Sequence, residues 1–349
     1  MPGWPINHPS LPVVLGTAAA VLLLRSAPRL GRHRGRTFGA LLLGLAMAAY
    51  LNAYFGYLPQ VGDVAGARPW PVISSLAIAD VQHSDAPGLG SHPRGAVVSL
   101  HVAGTVSRSA QRDALVYLPP QYFTDSSRRF PVLYLLHGSP GVPLDWFRGA
   151  EAAAAGLAAA RSGLPVILVA PRMSHSWLSD SECVDSPRLR AETYLVSDVV
   201  PTVDRTLRTL ARGSARGVLG NSAGGFCALD LGLRHPELFS AVAGLSPLTR
   251  PTYAFGSLAD LFGRPADLST VVDQHTPAWL LTHRPASRRA RLYLDVGDVD
   301  PLRPALVRFA ALDRALGGDP ELHIREGGHT YQVWRPALAA AIRWFAAGA

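Results

Sequence analysis

The chain has 349 residues, of which 48% are hydrophobic and 17% charged, so it can bury a large apolar core. Its formal net charge is +8, but the arginines that carry this charge are spread along the whole sequence. The sequence has no zinc-ligand spacing and no phosphate-binding loop ending in Gly-Lys. We therefore expect no nucleic-acid partner, no metal and no organic cofactor.

Two apolar segments near the N-terminus predict a membrane anchor. Residues 11–24 are apolar and uncharged, and residues 4–9 can extend this segment to 4–24. Residues 38–58 form a second uncharged segment, long enough to cross the hydrocarbon core of a bilayer. Aromatic side chains cluster at its far end, as they do where a helix meets the membrane surface. The sequence thus predicts transmembrane helices at 4–24 and 38–58.

The loop between these segments carries the orientation signal. It contains five arginines, Arg25, Arg29, Arg32, Arg34 and Arg36. Short arginine-rich loops stay on the cytoplasmic side, so the region after about residue 60 is expected outside the cytoplasm. That placement holds even if the first segment is too short to insert. The alternative is a late signal peptide, but its cleavage candidate Ala46-Met47-Ala48 lies inside the apolar run.

The composition divides the chain into three parts. Residues 1–60 are the predicted anchor. Residues 61–94 are rich in Pro, Gly, Ser and Ala and predict a linker, with one short helix near 73–81. Residues 95–349 alternate between apolar runs and helical patterns and predict one large catalytic domain.

Within this domain, the alternation predicts an α/β fold with a mostly parallel sheet covered by helices on both faces. Residues 96–103 and 114–118 predict an antiparallel edge. The other predicted strands are 131–136, 165–170, 241–245, 291–296 and 321–325, and the main helices are 152–161, 191–210, 301–316 and 331–347. Residues 247–289 predict a loop-rich insert that shapes the substrate pocket.

The segment 217–226, with the sequence GVLGNSAGGF, predicts a nucleophile. An apolar strand, a sharp turn and a helix follow one another, with Ser222 at the centre of a G-x-S-x-G pattern. Glycines allow strand and helix to pass close together, because they have no Cβ atom. We therefore predict that Ser222 is a catalytic nucleophile rather than an incidental turn serine.

A serine nucleophile needs a general base, and His329 is the candidate. It lies in the loop Glu326-Gly-Gly-His-Thr-Tyr331, between the last predicted strand and the last helix. Catalytic residues concentrate in loops on a rigid scaffold. His323, by contrast, falls inside the predicted last strand, where a structural role is expected.

The acid that orients the histidine is expected between Ser222 and His329, at a strand end. Asp295, Asp298 and Asp300 are the candidates, and Asp295 lies within the strand itself. Asp300 precedes a proline, a pattern that also caps a helix. One carboxylate can do both, and we favour Asp300 over Asp298.

An oxyanion hole requires backbone N–H groups that face the developing negative charge. Ala223, directly after the nucleophile, is expected to supply one. The second is expected from the loop His137-Gly-Ser-Pro-Gly141, and since Pro140 has no N–H, Ser139 is the predicted donor.

Four motifs, YLLHGSPG, GNSAGG, LDVGDVD and EGGHTYQVW, occur in an order that resembles the esterase branch of the α/β-hydrolase superfamily. This branch includes S-formylglutathione hydrolase, bacterial feruloyl esterases and the mycobacterial mycolyltransferases. The resemblance covers residues 95–349 and implies an α/β-hydrolase fold there. In feruloyl esterases the acid ends a G-x-x-D turn, which corresponds to Asp300, and a G-G-H-x-x-x-x-W motif corresponds to His329 and Trp334.

Membrane-anchored actinobacterial members of this branch have cysteines where the chain has Cys183 and Cys227, so the resemblance implies a disulfide between them. From the residues alone, two free thiols or one disulfide remain open, with the disulfide favoured outside the cytoplasm. At the turn, Asn221 and Ala223 replace Phe or His and Met of many relatives, which is expected to change the shape of the pocket.

Together these observations predict a membrane-anchored, extracytoplasmic serine esterase that acts on a small-molecule or lipid ester. The alternatives are an acyltransferase that acts on envelope alcohols, an inactive hydrolase fold used as a scaffold, and an envelope protease with the same triad.

Overall fold

The computed structural model describes most of the chain, namely residues 13–17, 19–20, 32–58, 72–73, 92–110, 112–174, 176, 179–253, 256–284 and 289–349. The chain divides into two compact units. The smaller unit lies within Met1–Pro69 together with Thr330–Gln332. The larger unit lies within Trp70–His329 together with Val333–Ala349.

The smaller unit contains helix α1, Arg32–Phe55. Residues 13–17 and 19–20 are helical as well. Gly56 follows α1 with a φ of 63°, the left-handed conformation that ends many helices. The Asn52 side chain then binds both backbone groups of Leu58, at 2.7 and 2.8 Å, which fixes the chain as it leaves the helix.

Among the described residues, no helix combines the length and the apolar character that a membrane span requires. The transmembrane helices predicted at 4–24 and 38–58 are therefore not supported by the structure. Most of the first segment lies outside the described residues. The helix found at the second segment begins at Arg32 and so includes three of the arginines that were expected in a loop.

The larger unit is built on a nine-stranded sheet with the order β1-β2-β3-β5-β4-β6-β7-β8-β9. The strands are β1 (Val72–Ile73), β2 (Ala96–Val102), β3 (Arg112–Leu118), β4 (Val132–Leu136), β5 (Ile167–Ala170), β6 (Arg216–Asn221), β7 (Ala241–Leu245), β8 (Arg291–Gly297) and β9 (Glu321–Arg325). β3 runs antiparallel to both β2 and β5, and the other pairs are parallel. The mostly parallel sheet with an antiparallel edge is thus confirmed.

Every residue of β4, β5, β6 and β7 is buried. Strands that are apolar along their whole length are typical of a parallel sheet with helices on both faces. The helices of this unit are α2 (Gln121–Thr124), α3 (Leu144–Arg148), α4 (Ala152–Arg161), α5 (Ala191–Thr193), α6 (Val200–Thr206), α7 (Ala223–Arg234), α8 (Leu258–Phe262), α9 (Leu268–Gln274), α10 (Pro277–His283), α11 (Arg303–Ala315) and α12 (Tyr331–Ala347).

Two local predictions are wrong in part, and a third lies mostly outside the described residues. The helix predicted at 191–210 contains a π-helical stretch, Tyr194–Val199, and ends at Thr206, because Leu207 is extended. The insert predicted as loop contains α8, α9 and α10, and the side chains of Ser257 and Asp267 cap the first two. The short helix predicted near 73–81 lies mostly outside the described residues, but Val72–Ile73 is a strand paired with β2.

The carboxyl ends of the parallel strands lie at one edge of the sheet, and the loops that follow β4, β6, β8 and β9 meet there. Two of these loops touch closely at Gly297. A Cβ atom at that position would overlap the carbonyl oxygen of Gly327 in the loop after β9. This glycine therefore lets the loop with Asp298 and Asp300 approach the loop with His329.

Candidate active site

Ser222 lies on the turn between β6 and α7, with φ 54° and ψ −122°. A residue with a side chain rarely adopts positive φ, and its cost is offset by the surrounding contacts. The Ser222 N–H donates to the carbonyl of Leu245 in β7, at 3.0 Å, and its own carbonyl accepts from Phe226 in α7, also at 3.0 Å. The backbone of Ser222 is thus fixed by the neighbouring strand and by the helix that follows.

The glycines around Ser222 are required by close packing. A Cβ atom at Gly220 would overlap the carbonyl oxygen of Gly224, and one at Gly224 would overlap the carbonyl oxygen of Leu136. The turn therefore brings the start of α7 against the end of β4. The strand, turn and helix predicted for 217–226 are confirmed.

His329 contacts both other residues of the predicted triad. Its Nε2 lies 2.9 Å from the Oγ of Ser222, and its Nδ1 lies 2.9 Å from an Oδ of Asp300. The imidazole is partly exposed, whereas the Asp300 carboxylate is completely buried. His323 is remote from this chain of contacts. It lies in β9, with its ring 4.7 Å from the ring of Tyr293.

Asp300 is held as an anion by several donors. Its other carboxylate oxygen accepts the Leu302 N–H at 2.8 Å, just before α11. Burial alone would raise the pKa of Asp300. Hydrogen bonds from His329, from the Leu302 backbone and from Ser246 outweigh that effect, so the pKa of this carboxyl lies below its ordinary value. An ionised carboxylate at Nδ1 keeps the proton there and leaves Nε2 free to accept one from serine.

The two other aspartates of this loop have different partners. Asp298 accepts the Gly327 N–H at 2.9 Å and so holds the loop that carries His329. Asp295 is buried in β8 and pairs with Arg325 of β9, at 2.7 Å. Burial raises the pKa of Asp295 to about 6, even though Arg325 opposes the shift. Only Asp300, of these three, contacts the imidazole.

Ser246 and Trp334 complete the surroundings of the triad, and sequence analysis assigned a role to neither. The indole N–H of Trp334 donates to the Ser246 hydroxyl at 3.0 Å. That hydroxyl also hydrogen-bonds to Asp300 and helps to lower its pKa. The Trp334 ring meets the imidazole of His329 edge to face, with 4.9 Å between the ring centres. The motif that contains Trp334 was the available signal, whereas nothing in the sequence distinguished Ser246.

The loop after β4 lies beside the nucleophile. A Cβ atom at Gly138 would lie 3.4 Å from the Cβ of Ser222. The Gly138 N–H donates to the Asn221 side chain at 3.1 Å, so Asn221 anchors this loop, a role that sequence analysis missed. Ser139 follows Gly138 in the chain, and Ala223 follows Ser222. The two predicted oxyanion donors are therefore the next residues after this contact.

Cys183 and Cys227 are joined by a disulfide, which ties the loop before α5 to the nucleophile helix α7. Within the described part of the chain, no group of three or more His, Cys, Asp or Glu side chains is arranged to hold a metal ion.

Residues 107–345 match the family described as "Putative esterase". The chain belongs to this esterase family. It is a serine hydrolase with an α/β-hydrolase fold, and its family places it among the carboxylesterases.

Three similar proteins illustrate the relationship. An uncharacterized protein of Corynebacterium glutamicum is 30% identical over 315 residues, which cover 86% of this chain and 72% of that protein. An esterase of Mycobacterium tuberculosis is 31% identical over 168 residues, 47% of this chain and 36% of that protein. A solved ferulic acid esterase has a TM-score of 0.62 at 23% identity, over 72% of this chain and 97% of its own.

The close packing at Gly224 generates a first prediction. A Gly224→Ala change should push α7 away from β4, because the new methyl group has no space. We expect a loss of about 1–3 kcal/mol in the free energy of unfolding. We also expect a fall of about a hundredfold in kcat, since the nucleophile moves. Urea unfolding and ester hydrolysis measure the two effects. Gly44→Ala, at a site with no atom within 4 Å of the new Cβ, is the control: it should leave kcat unchanged and should not lower the free energy of unfolding, because alanine is the better helix former.

The contacts of the two loop aspartates generate a second prediction. Asp300→Asn should lower kcat by about 10³–10⁴-fold, because the amide no longer stabilises the charged imidazole or fixes its tautomer. Asp298→Asn should leave kcat within about threefold, because its amide oxygen can still accept the Gly327 N–H. Steady-state kinetics with a p-nitrophenyl ester compares these matched variants. A larger loss in Asp298→Asn would identify Asp298 as the acid instead.

Proposed function

We propose that this protein hydrolyses carboxylic esters through a Ser222–His329–Asp300 triad and an acyl-enzyme. The observation that carries the proposal is the unbroken chain of contacts from Ser222 Oγ to His329 and on to Asp300, with 2.9 Å at each step. This spacing is within hydrogen-bond reach at both ends, which is what nucleophile, base and orienting acid require.

In the first half of the proposed reaction, Ser222 Oγ attacks the ester carbonyl carbon while His329 Nε2 takes the hydroxyl proton. The carbonyl oxygen becomes negatively charged, and the N–H groups of Ser139 and Ala223 stabilise it. When the tetrahedral intermediate collapses, His329 gives the proton to the leaving alkoxide. The alcohol departs, and the acyl group remains on Ser222.

In the second half, a water molecule attacks the acyl-enzyme. His329 takes a proton from the water and returns it to Ser222 Oγ when the free acid leaves. Asp300 stays ionised throughout and stabilises the imidazolium in each half. Such a site needs only its own side chains and backbone for these steps. The substrate proposed is a small-molecule or lipid ester, in keeping with the esterase family and with relatives named as esterases.

The proposed nucleophile generates a third prediction. Ser222→Ala should abolish both p-nitrophenyl ester hydrolysis and covalent labelling by a fluorophosphonate probe, because Ser222 Oγ is the hydroxyl that contacts His329 Nε2. Mass spectrometry of the labelled wild-type protein should place the adduct on Ser222. Continued labelling of a folded Ser222→Ala variant would contradict the assignment. Faster transfer of the acyl group to an added sugar alcohol than to water would identify a transferase instead.

We also propose that the larger unit works outside the cytoplasm. The disulfide between Cys183 and Cys227 supports this placement, because disulfides persist in oxidising compartments and are rare in the cytosol.

This placement generates a fourth prediction. The chain contains two cysteines, so their redox state can be read directly. In protein taken from its native cells and unfolded in the presence of a maleimide, neither thiol should react until a reductant is added. The same chain made in a reducing cytoplasm is the control, and both of its thiols should react at once. Two reactive thiols in the native-cell sample would contradict an extracytoplasmic location.

A further inference from the structure

Two carboxyl groups, the buried Glu182 and the partly exposed Asp180, lie beside the loop that carries Ser139. A cavity of about 10 Å³, too small for any part of a substrate, separates that loop from the segment that contains Asp180. Its lining includes His137, Gly138, Ser139, Asp180, Ala223 and Cys227. Asp180 thus lies across this cavity from the loop and from the start of α7.

Glu182 is the second carboxyl of the pair and is only 1% exposed. One of its oxygens accepts the Thr252 hydroxyl at 3.1 Å. The other oxygen is buried, and no hydrogen-bond partner for it is present among the described residues. A buried carboxylate oxygen without a donor is costly, whereas a protonated carboxyl becomes a donor itself.

The surroundings of Glu182 favour its neutral form. Burial, and then the negative charge of Asp180, raise the pKa of Glu182 well above its ordinary value, and Asp230 adds to the shift. Asp230 is itself buried and pairs with His275 at 2.7 Å. The Asp180 carboxylate accepts the Glu182 backbone N–H at 3.0 Å, so it is the acceptor next to Glu182.

Asp180 also lies close to Ser139, in the loop after β4 that is predicted to supply an oxyanion donor. The Ser139 hydroxyl is buried without a hydrogen-bond partner in this conformation. It is nevertheless close enough to Asp180 to be among the groups that lower the pKa of that carboxyl, against the larger effect of burial. We infer that the hydroxyl turns to donate to Asp180. That hydrogen bond would hold the Ser139 backbone in place.

We propose that neutral Glu182 donates a hydrogen bond from its carboxyl O–H to the Asp180 carboxylate, and that this carboxyl pair positions Ser139 for stabilisation of the oxyanion. The inference rests on the proposed esterase function. Two carboxylates here would place two negative charges behind a loop that must stabilise a third, developing charge. With one proton between the two carboxyls, the pair carries a single negative charge, and the hydrogen bond fixes the orientation of the Asp180 carboxylate. Glu182 and Asp180 are positioning residues, since they act through Ser139.

The backbone of the segment supports this role. Glu182 and Cys183 both have positive φ, at 44° and 54°. Two consecutive residues with side chains in this region cost free energy, so their neighbours must hold them there. The disulfide from Cys183 to Cys227 and the Thr252 contact do so, and together they fix the Glu182 carboxyl relative to α7.

The test compares Glu182→Gln with Glu182→Ala. Glutamine keeps a neutral donor toward Asp180, whereas alanine removes it. We expect Glu182→Gln to retain kcat within about threefold of wild type, and Glu182→Ala to lose about tenfold in kcat with KM within about threefold, because oxyanion stabilisation acts on the transition state. Glu321→Gln, at a carboxylate that is half exposed in β9, is the control and should behave as wild type.

Three outcomes would overturn the proposal. Equal losses in both Glu182 variants would mean that the ionised carboxylate is needed. Wild-type kinetics in a folded Glu182→Ala would mean that the pair does not position Ser139. If Glu182→Ala does not fold, Thr252→Val is tested instead, because it removes the hydroxyl that donates to the Glu182 carboxyl and leaves Glu182 itself in place. That variant should lose about two- to fivefold in kcat, and an unchanged kcat would overturn the proposal.

The rate of fluorophosphonate labelling separates this inference from the proposed function. If wild-type protein labels at Ser222 but hydrolyses no ester, the ester substrate is wrong while the triad stands. The labelling rates of the Glu182 variants then replace kcat, since the probe also develops negative charge at the oxyanion position. If wild-type protein does not label at all, the proposed function fails before Glu182 is tested.

Discussion

The strained backbone of Ser222 is the constraint on which the rest of the site depends. A serine with φ 54° is stable only because β7, α7 and the end of β4 surround it, and the glycines at 220 and 224 let them come close enough. That packing turns Ser222 Oγ toward the carboxyl edge of the sheet. The loops after β8 and β9 then bring acid and base to the same point.

The loops carry two kinds of polar residue, which differ in what they hold. Asp300 and His329 are linked to Ser222 directly. Asp298, Asn221 and Ser246 hold the loops or the acid in place, through Gly327, Gly138 and Asp300 in turn. Each of these interactions joins two segments that are distant in sequence. A substitution that breaks one of these interactions is therefore expected to displace a catalytic group, even where the substituted residue does not contact that group.

Buried carboxyl groups recur around this edge, and the environment decides their charge. Asp300 has three donors, and its pKa is lowered. Asp295 is also buried and has Arg325 beside it, yet its pKa is raised to about 6. Glu182 has an acidic neighbour and the Thr252 hydroxyl as a donor, and its pKa is raised well above its ordinary value. Burial is the largest effect on the pKa of all three groups; hydrogen bonds outweigh it at Asp300 but not at Asp295 or Glu182.

The sequence by itself determined the alternation of strands and helices, the turn at Ser222, and the loops that contain His329 and the candidate aspartates. These follow from local patterns of apolar residues and glycines, which short-range sterics and burial impose on the chain. Tertiary structure decided which aspartate meets the imidazole. It also revealed that Asn221 and Ser246 support the site, that the described part of the 247–289 insert contains three helices, and that Asp180 and Glu182 lie beside the loop with Ser139. Such contacts join residues far apart in sequence, and their geometry depends on how the whole sheet twists and packs.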